Sequence, residues 1–152
     1  MPQSSLNQPG TFDEPSWLLL FVYGTLRRGG TNDIMQFGVR ARWQSSARVR
    51  GRLYDLGPYP GLILGGPDWV QGELYRIDPA IEPALDRLEQ VWPDRTGEYR
   101  RSMAMVVTGD PPGVDQVCAA LVYEMDAQIA LRWPLIVGGD WIAHGLNRGS
   151  AR

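Results

Sequence analysis

The chain has no lysine at all; its 15 basic residues are all arginine. Arginine forms bidentate contacts with phosphate, and codon bias in a GC-rich genome gives the same composition. The net charge of −2 and pI near 5.3 provide no general attraction to nucleic acid or to acidic membranes. Cysteine occurs once, at Cys118, which excludes an internal disulfide framework. It lies in the apolar run Val117–Val122 and reads as a small buried filler. Histidine also occurs once, at His144, without a Cys or His neighbour, so a zinc site has little material. The longest apolar stretch, Trp17 to Tyr23, is too short to span a membrane. Acidic Asp13 and Glu14, with Pro15, precede it where a signal peptide carries positive charge, so the expected location is the cytoplasm. Neither GxxxxGK[ST] nor GxGxxG occurs, and no Ser-His-Asp set can be assembled around the one histidine. The expectation is therefore chemistry without cofactor or metal, resting on a carboxylate and backbone donors.

What is present is an ordinary globular balance: 152 residues, 43% hydrophobic and 21% charged, enough for one domain with a real core. With 18 Gly and 12 Pro the chain should be rich in turns. Residues 1–16 are polar and rich in Pro, Gly, Ser and Gln, and read as a flexible tail. The domain proper is expected over 17–145, with 146–152 as a C-terminal tail. Trp17–Tyr23, bounded by Gly24, reads as a strand buried on both faces. Gly29–Asn32 reads as a turn, with Asn32 capping a short helix through Phe37.

Val49–Leu56 and Val70–Ile77 share the pattern V-x-G-x-L-Y-x-(L/I) and alternate as strands do. The glycine common to both suggests a bulge or bend of the kind that curved sheets require. Asp78 can cap a helix whose first position suits Pro79. Ile81, Ala84, Leu85 and Leu88 then recur at i, i+3, i+4 and i+7, giving one apolar face, while Pro83 distorts the first turn. Further strands are expected near Tyr99–Thr108 and Gln116–Met125. Strands in that proportion, with one principal helix, indicate a curved mixed sheet or partly closed barrel with helices at its edge.

Two features could carry chemistry. In Tyr23-Gly24-Thr25-Leu26 a strand runs into glycine, which lets backbone approach a ligand with successive N–H groups aimed outward. An ordinary strand-ending turn would read the same way. Glu89 falls at the border of the apolar helix face, near the negative end of the helix. Partial burial and that helix end both disfavour its ionised form, as a general base near neutral pH requires. A surface helix glutamate is the other reading. Asp86 reads as solvated, Glu98 as a cap or surface group, and Glu73 as a cross-strand partner for Arg52. Arg48, Arg50 and Arg52 alternate along one strand and read as a wet face.

Taken in order, Val22-Tyr23-Gly24-Thr25-Leu26-Arg27, Tyr59-Pro60-Gly61, Gly72-Glu73-Leu74-Tyr75, Leu85-Asp86-Arg87-Leu88-Glu89, Tyr99-Arg100-Arg101 and Val122-Tyr123 resemble the gamma-glutamylcyclotransferase-like (AIG2-like) family. Gly138-Gly139-Asp140-Trp141 resembles the closing segment of many bacterial members. The resemblance spans roughly residues 17 to 141. It implies an α+β fold, a small mixed β-barrel flanked by short helices. It also implies a substrate pocket at Tyr23, Gly24, Thr25 and Leu26, with Tyr123 contributing, and Glu89 as the catalytic glutamate. The reaction so implied converts a small γ-glutamyl amine or amino acid to 5-oxoproline and free amine. Family members often carry Gly after the glutamate, where this chain has Gln90. A non-catalytic binding module with the same pocket stands as the alternative. Nucleic-acid binding through the arginine face is disfavoured by the acidic pI.

Overall fold

In the computed structural model, residues 17–88, 99–109 and 116–150 are described, with the side chains of 147–150 left aside. Five strands carry the architecture: β1 (Leu18–Val22), β2 (Ala41–Asp55), β3 (Pro60–Ile77), β4 (Tyr99–Thr108) and β5 (Gln116–Met125). They close into a barrel in the order β1-β3-β2-β4-β5. All pairings are antiparallel except β1 with β5, which run parallel at Leu20↔Leu121. That single parallel seam makes the barrel mixed, and closure leaves none of the five without a partner on either side. The helices are short: α1 (Glu82–Leu88), α2 (Ala127–Ala130) and α3 (Trp141–Ser150), with 3-10 helices at Ile34–Arg40 and Pro79–Ile81. The expected α+β barrel flanked by short helices is thus the observed fold. Helix α3 carries regular backbone to Ser150, past the boundary expected at 145.

The strand period of two explains why β1 is apolar throughout. Phe21 and Tyr23 point into the barrel, into a cluster with Val49, Leu53, Leu62, Val70, Leu74, Val106, Ala120 and Val122. Leu20 and Val22 point outward, under Ile34, Ile81 and Leu85 of the helical layer. Each such side chain contributes roughly 1.5–3 kcal/mol by leaving water, so both faces of β1 stabilise the fold. Cys118 is half-buried and packs against the interior cluster.

The two echoed segments are neighbours, paired Val49↔Val70, and their glycines serve different ends. Gly51 stands at a register shift, opposite a β3 excursion in which Gly65 and Gly66 adopt φ of +104° and +90°. Gly72 lies in regular ladder. A Cβ there would stand 2.3 Å from Val22 O and 2.5 Å from Phe21 Cζ, so close packing of β1 requires the glycine.

At the first 3-10 helix the cap is Asp33, one residue later than Asn32. Asp33 has two acceptor oxygens: Oδ1 takes Met35 N–H and Oδ2 takes Gly29 N–H, both at 2.8 Å. Asn32 is instead engaged with Thr25 Oγ1. Gly38, at φ 60° and ψ −133°, is non-helical and kinks the segment directly after Phe37, the expected end of the helix; a second short turn follows to Arg40. Asp78 caps as expected, accepting Ala80 N–H at 2.9 Å ahead of Pro79. The first turn is 3-10 before α1 begins at Glu82.

Candidate active site

The chain leaves β1 through Tyr23 into a tight turn closed by Arg27 N–H to Gly24 O at 3.0 Å. Asn32 N–H to Thr25 O and Ile34 N–H to Leu26 O, each 2.9 Å, tie the turn to the following segment. Gly24 packs under the Pro60 ring, where a Cβ would fall 2.6 Å from Cγ. Together the turn and β1 line a pocket through Phe21, Val22, Tyr23, Gly24, Thr25 and Leu26. Pro60, Tyr99 and Tyr123 complete the wall. All five residues read from the sequence as substrate-binding, Tyr23, Gly24, Thr25, Leu26 and Tyr123, therefore border one cavity.

The wall is held by its own hydroxyls. Tyr23 O–H donates to Tyr123 O at 2.5 Å, and Tyr99 O–H to Pro60 O at 2.6 Å. Tyr123 O–H donates to Asp86 Oδ1 at 2.6 Å, joining the pocket to α1. Asp86 also accepts from Arg101 Nη1 at 3.4 Å, and Arg101 pairs with Glu82. Burial pulls the Arg101 pKa down, but the neighbouring Asp86 and Glu82 carboxylates outweigh it and hold the guanidinium above its ordinary value. Asp86 is thus no solvated helix residue: it is buried between α1, β4 and β5. A helical wheel places a side chain around its own axis; it cannot show that β4 and β5 bring a cation and a phenol to that flank. Glu89, Gln90 and Glu98 lie outside the described residues.

Glu73 also differs from expectation. It faces Ser46 across the ladder, while Arg52 lies beyond the register shift and pairs with Asp68 at 3.3 Å. Buried Glu73 turns to the cradle loop, taking Arg27 Nε on Oε2 at 3.1 Å and Arg28 N–H on Oε1 at 2.9 Å. Tyr75 O–H donates to Oε1 at 2.9 Å as well. Arg27 reaches on to Asp140 Oδ1 at 2.9 Å, the oxygen that accepts from Ile142 N–H and Ala143 N–H at the start of α3. Arg48 and Arg50 stack on the Trp69 ring, 4.6 and 3.7 Å from its centroid, and that strand face is outward as expected. His144 pairs with Asp55 Oδ2 at 2.8 Å.

Among the described residues, no group of three His, Cys, Asp or Glu could hold a metal ion. None of the described helices is long and apolar enough to cross a membrane.

A closed mixed barrel with a turn-lined pocket at one strand end defines a fold class, and solved structures share it. The crystal structure of YkqA from Bacillus subtilis aligns with TM-score 0.65 at 27% identity, over 88% of this chain and 43% of that one. The chain thus spans less than half the length of YkqA. A mouse AIG2-like protein aligns with TM-score 0.62 at 26% identity, over 78% of this chain and 84% of that one. In sequence, the gamma-glutamylcyclotransferase family protein YtfP of Escherichia coli K12 is 33% identical over 131 residues, covering 81% of this chain and 95% of YtfP. Human gamma-glutamylaminecyclotransferase is 37% identical over 84 residues, covering 47% of this chain and 52% of the human one. The profile of a family described as gamma-glutamyl cyclotransferase, AIG2-like, matches residues 20–143. The chain belongs to that family.

Proposed function

We propose that the chain is a γ-glutamyl cyclotransferase that converts a γ-glutamyl amine or amino acid to 5-oxoproline and free amine, with Glu89 as general base and then acid. The observation that carries this reading is the bond from Tyr123 to Asp86. It makes the cradle pocket and helix α1 one assembly, and Glu89 follows in sequence directly after Leu88, the last residue of α1.

The reaction suits so sparse an inventory. The substrate supplies its own nucleophile: its α-amino nitrogen attacks its γ-carbonyl carbon, a C–N bond forms, and the amide bond to the departing amine breaks. Glu89 takes the proton that the attacking nitrogen loses and returns it to the leaving nitrogen. A pocket that holds the substrate folded supplies the orientation on which intramolecular attack depends. Backbone N–H groups of the Tyr23–Leu26 turn would receive the substrate's oxygens, including the developing oxyanion. An ordinary glutamate near 4.3 facing an α-amino group near 7.7–8.0 leaves proton transfer uphill by roughly 5 kcal/mol, so the site must make Glu89 more basic than a glutamate in water.

The test is a panel of γ-glutamyl compounds assayed for 5-oxoproline, with Glu89→Gln beside the unaltered protein. The expected result is product from at least one compound, abolished in Glu89→Gln with folding intact. Substantial turnover by that variant moves the role elsewhere, and Glu98 is tested next. Binding without product, unchanged by Glu89→Gln, would mark a binding module instead.

A further inference from the structure

The pocket turn does not hold its shape through its own hydrogen bonds alone. Its far end, at Arg27 and Arg28, is fixed by one buried carboxylate on a different strand. Both oxygens of Glu73 are used: Oε2 by Arg27 Nε, and Oε1 by the Arg28 N–H and the Tyr75 hydroxyl. A glutamate buried to 7% exposure is costly unless paired and hydrogen-bonded. Here every bond except that from Tyr75 goes to the loop. Arg27 in turn carries the connection to Asp140 at the head of α3, and the preceding Gly139 O accepts Gln71 N–H from β3 at 2.8 Å. The side chains of Arg27 and Glu73 are 13% and 9% exposed, so solvent does little to weaken the pair. The turn's pocket-lining residues, Gly24, Thr25 and Leu26, end immediately before this anchor.

We infer that Glu73 is the positioning residue of the substrate cradle, acting through Arg27 and the Arg28 amide, with Asp140 as the second anchor of the same arginine. It rests on the cyclotransferase reading only in treating the turn as the substrate's seat. Glu73 touches no reacting atom in this arrangement. It sets where the backbone donors of Gly24 to Leu26 stand, and a cradle that must hold a folded substrate depends on that placement.

Two variants and two measurements test it. Glu73→Gln replaces an acceptor-only carboxylate with an amide and removes the ion pair. Asp140→Asn is milder, because Asn retains an oxygen to cap α3 while losing the charge on Arg27. Amide hydrogen exchange reads the loop with no ligand present. In Glu73→Gln the amides from Thr25 to Arg28 should exchange at least tenfold faster, with interior amides such as Val49 and Leu62 changing less. Asp140→Asn should give the same pattern in smaller degree, and it decides the question if Glu73→Gln fails to fold. Uniform acceleration across loop and barrel, or none in either place, overturns the inference. With a γ-glutamyl compound that the unaltered protein turns over, KM should rise at least tenfold in Glu73→Gln while kcat falls by less. A fall in kcat alone would also overturn it. Absence of turnover in the unaltered protein counts against the proposed reaction only, since hydrogen exchange still decides the role of Glu73.

Discussion

The phenol of Tyr123 and the carboxylate of Asp86 meet across 2.6 Å between barrel and helix, and both are almost fully buried. Tyr123 lines the pocket and Asp86 belongs to α1, so this hydrogen bond ties the helix to the cavity wall. Tyr123→Phe leaves Asp86 with Arg101 but without its short donor. The expected cost is about 1.5–3 kcal/mol, the range for a hydrogen bond to a charged group. A lower urea midpoint with an unchanged slope checks it.

The turn's contact with Pro60 yields a second prediction. Gly24→Ala puts a methyl 2.6 Å from Pro60 Cγ and 2.8 Å from Cδ, so ring or turn must move. That movement widens or skews the cavity wall. Catalytic efficiency on any γ-glutamyl substrate should fall at least tenfold, while overpacking lowers stability by only about 1–3 kcal/mol. Kinetics beside a denaturation curve would separate the two effects.

Alkaline pH should lower the stability of the fold through Tyr75, the phenol bonded to Glu73. Burial, and then the hydrogen bond to Glu73 and its charge, push the Tyr75 phenol well above the ordinary tyrosine value of 10.0. A group whose folded value lies above its unfolded one contributes stability below the unfolded value and loses it as pH rises through the folded one. Stability should therefore decline from pH about 10 upward. Tyr75→Phe should flatten that decline in unfolding measured at pH about 8 to 11. A decline of the same slope in the variant would assign it to other groups.

Two arginine–carboxylate pairs at similar distances should differ widely in worth. Arg52 and Asp68 side chains are 51% and 59% exposed, so Arg52→Ala should cost less than about 1 kcal/mol. Arg27→Ala leaves buried Glu73 without its cation, and loss of one partner of a buried pair costs about 3–5 kcal/mol. Parallel urea titrations decide the matter, and near-equal losses would contradict the assigned difference in burial.

The strands show how much could be read from residue order. β4 and β5 fall at Tyr99–Thr108 and Gln116–Met125, the ranges expected from the sequence. Asp78 followed by Pro79 starts the helical region because capping and a proline first turn are local effects. Asn32 against Asp33 shows the limit of such local reasoning. Both can cap, and the choice turned on which one had a competing partner in Thr25.

By itself the sequence determined what depends on near neighbours in the chain: strand period, helix start, the turn at Gly24, and the ordered motifs that mark the family. Only the tertiary structure decided the partners of the buried charges. Asp86 and Glu73 lie on ordinary-looking helix and strand positions, yet Arg101 and Tyr123 reach the first and Arg27 the second, across 46 residues in the case of Arg27 and Glu73. Closing the barrel brings those elements together. A carboxylate removed from water must then take whatever cations and hydroxyls the closure delivers, and no spacing in the chain encodes that choice.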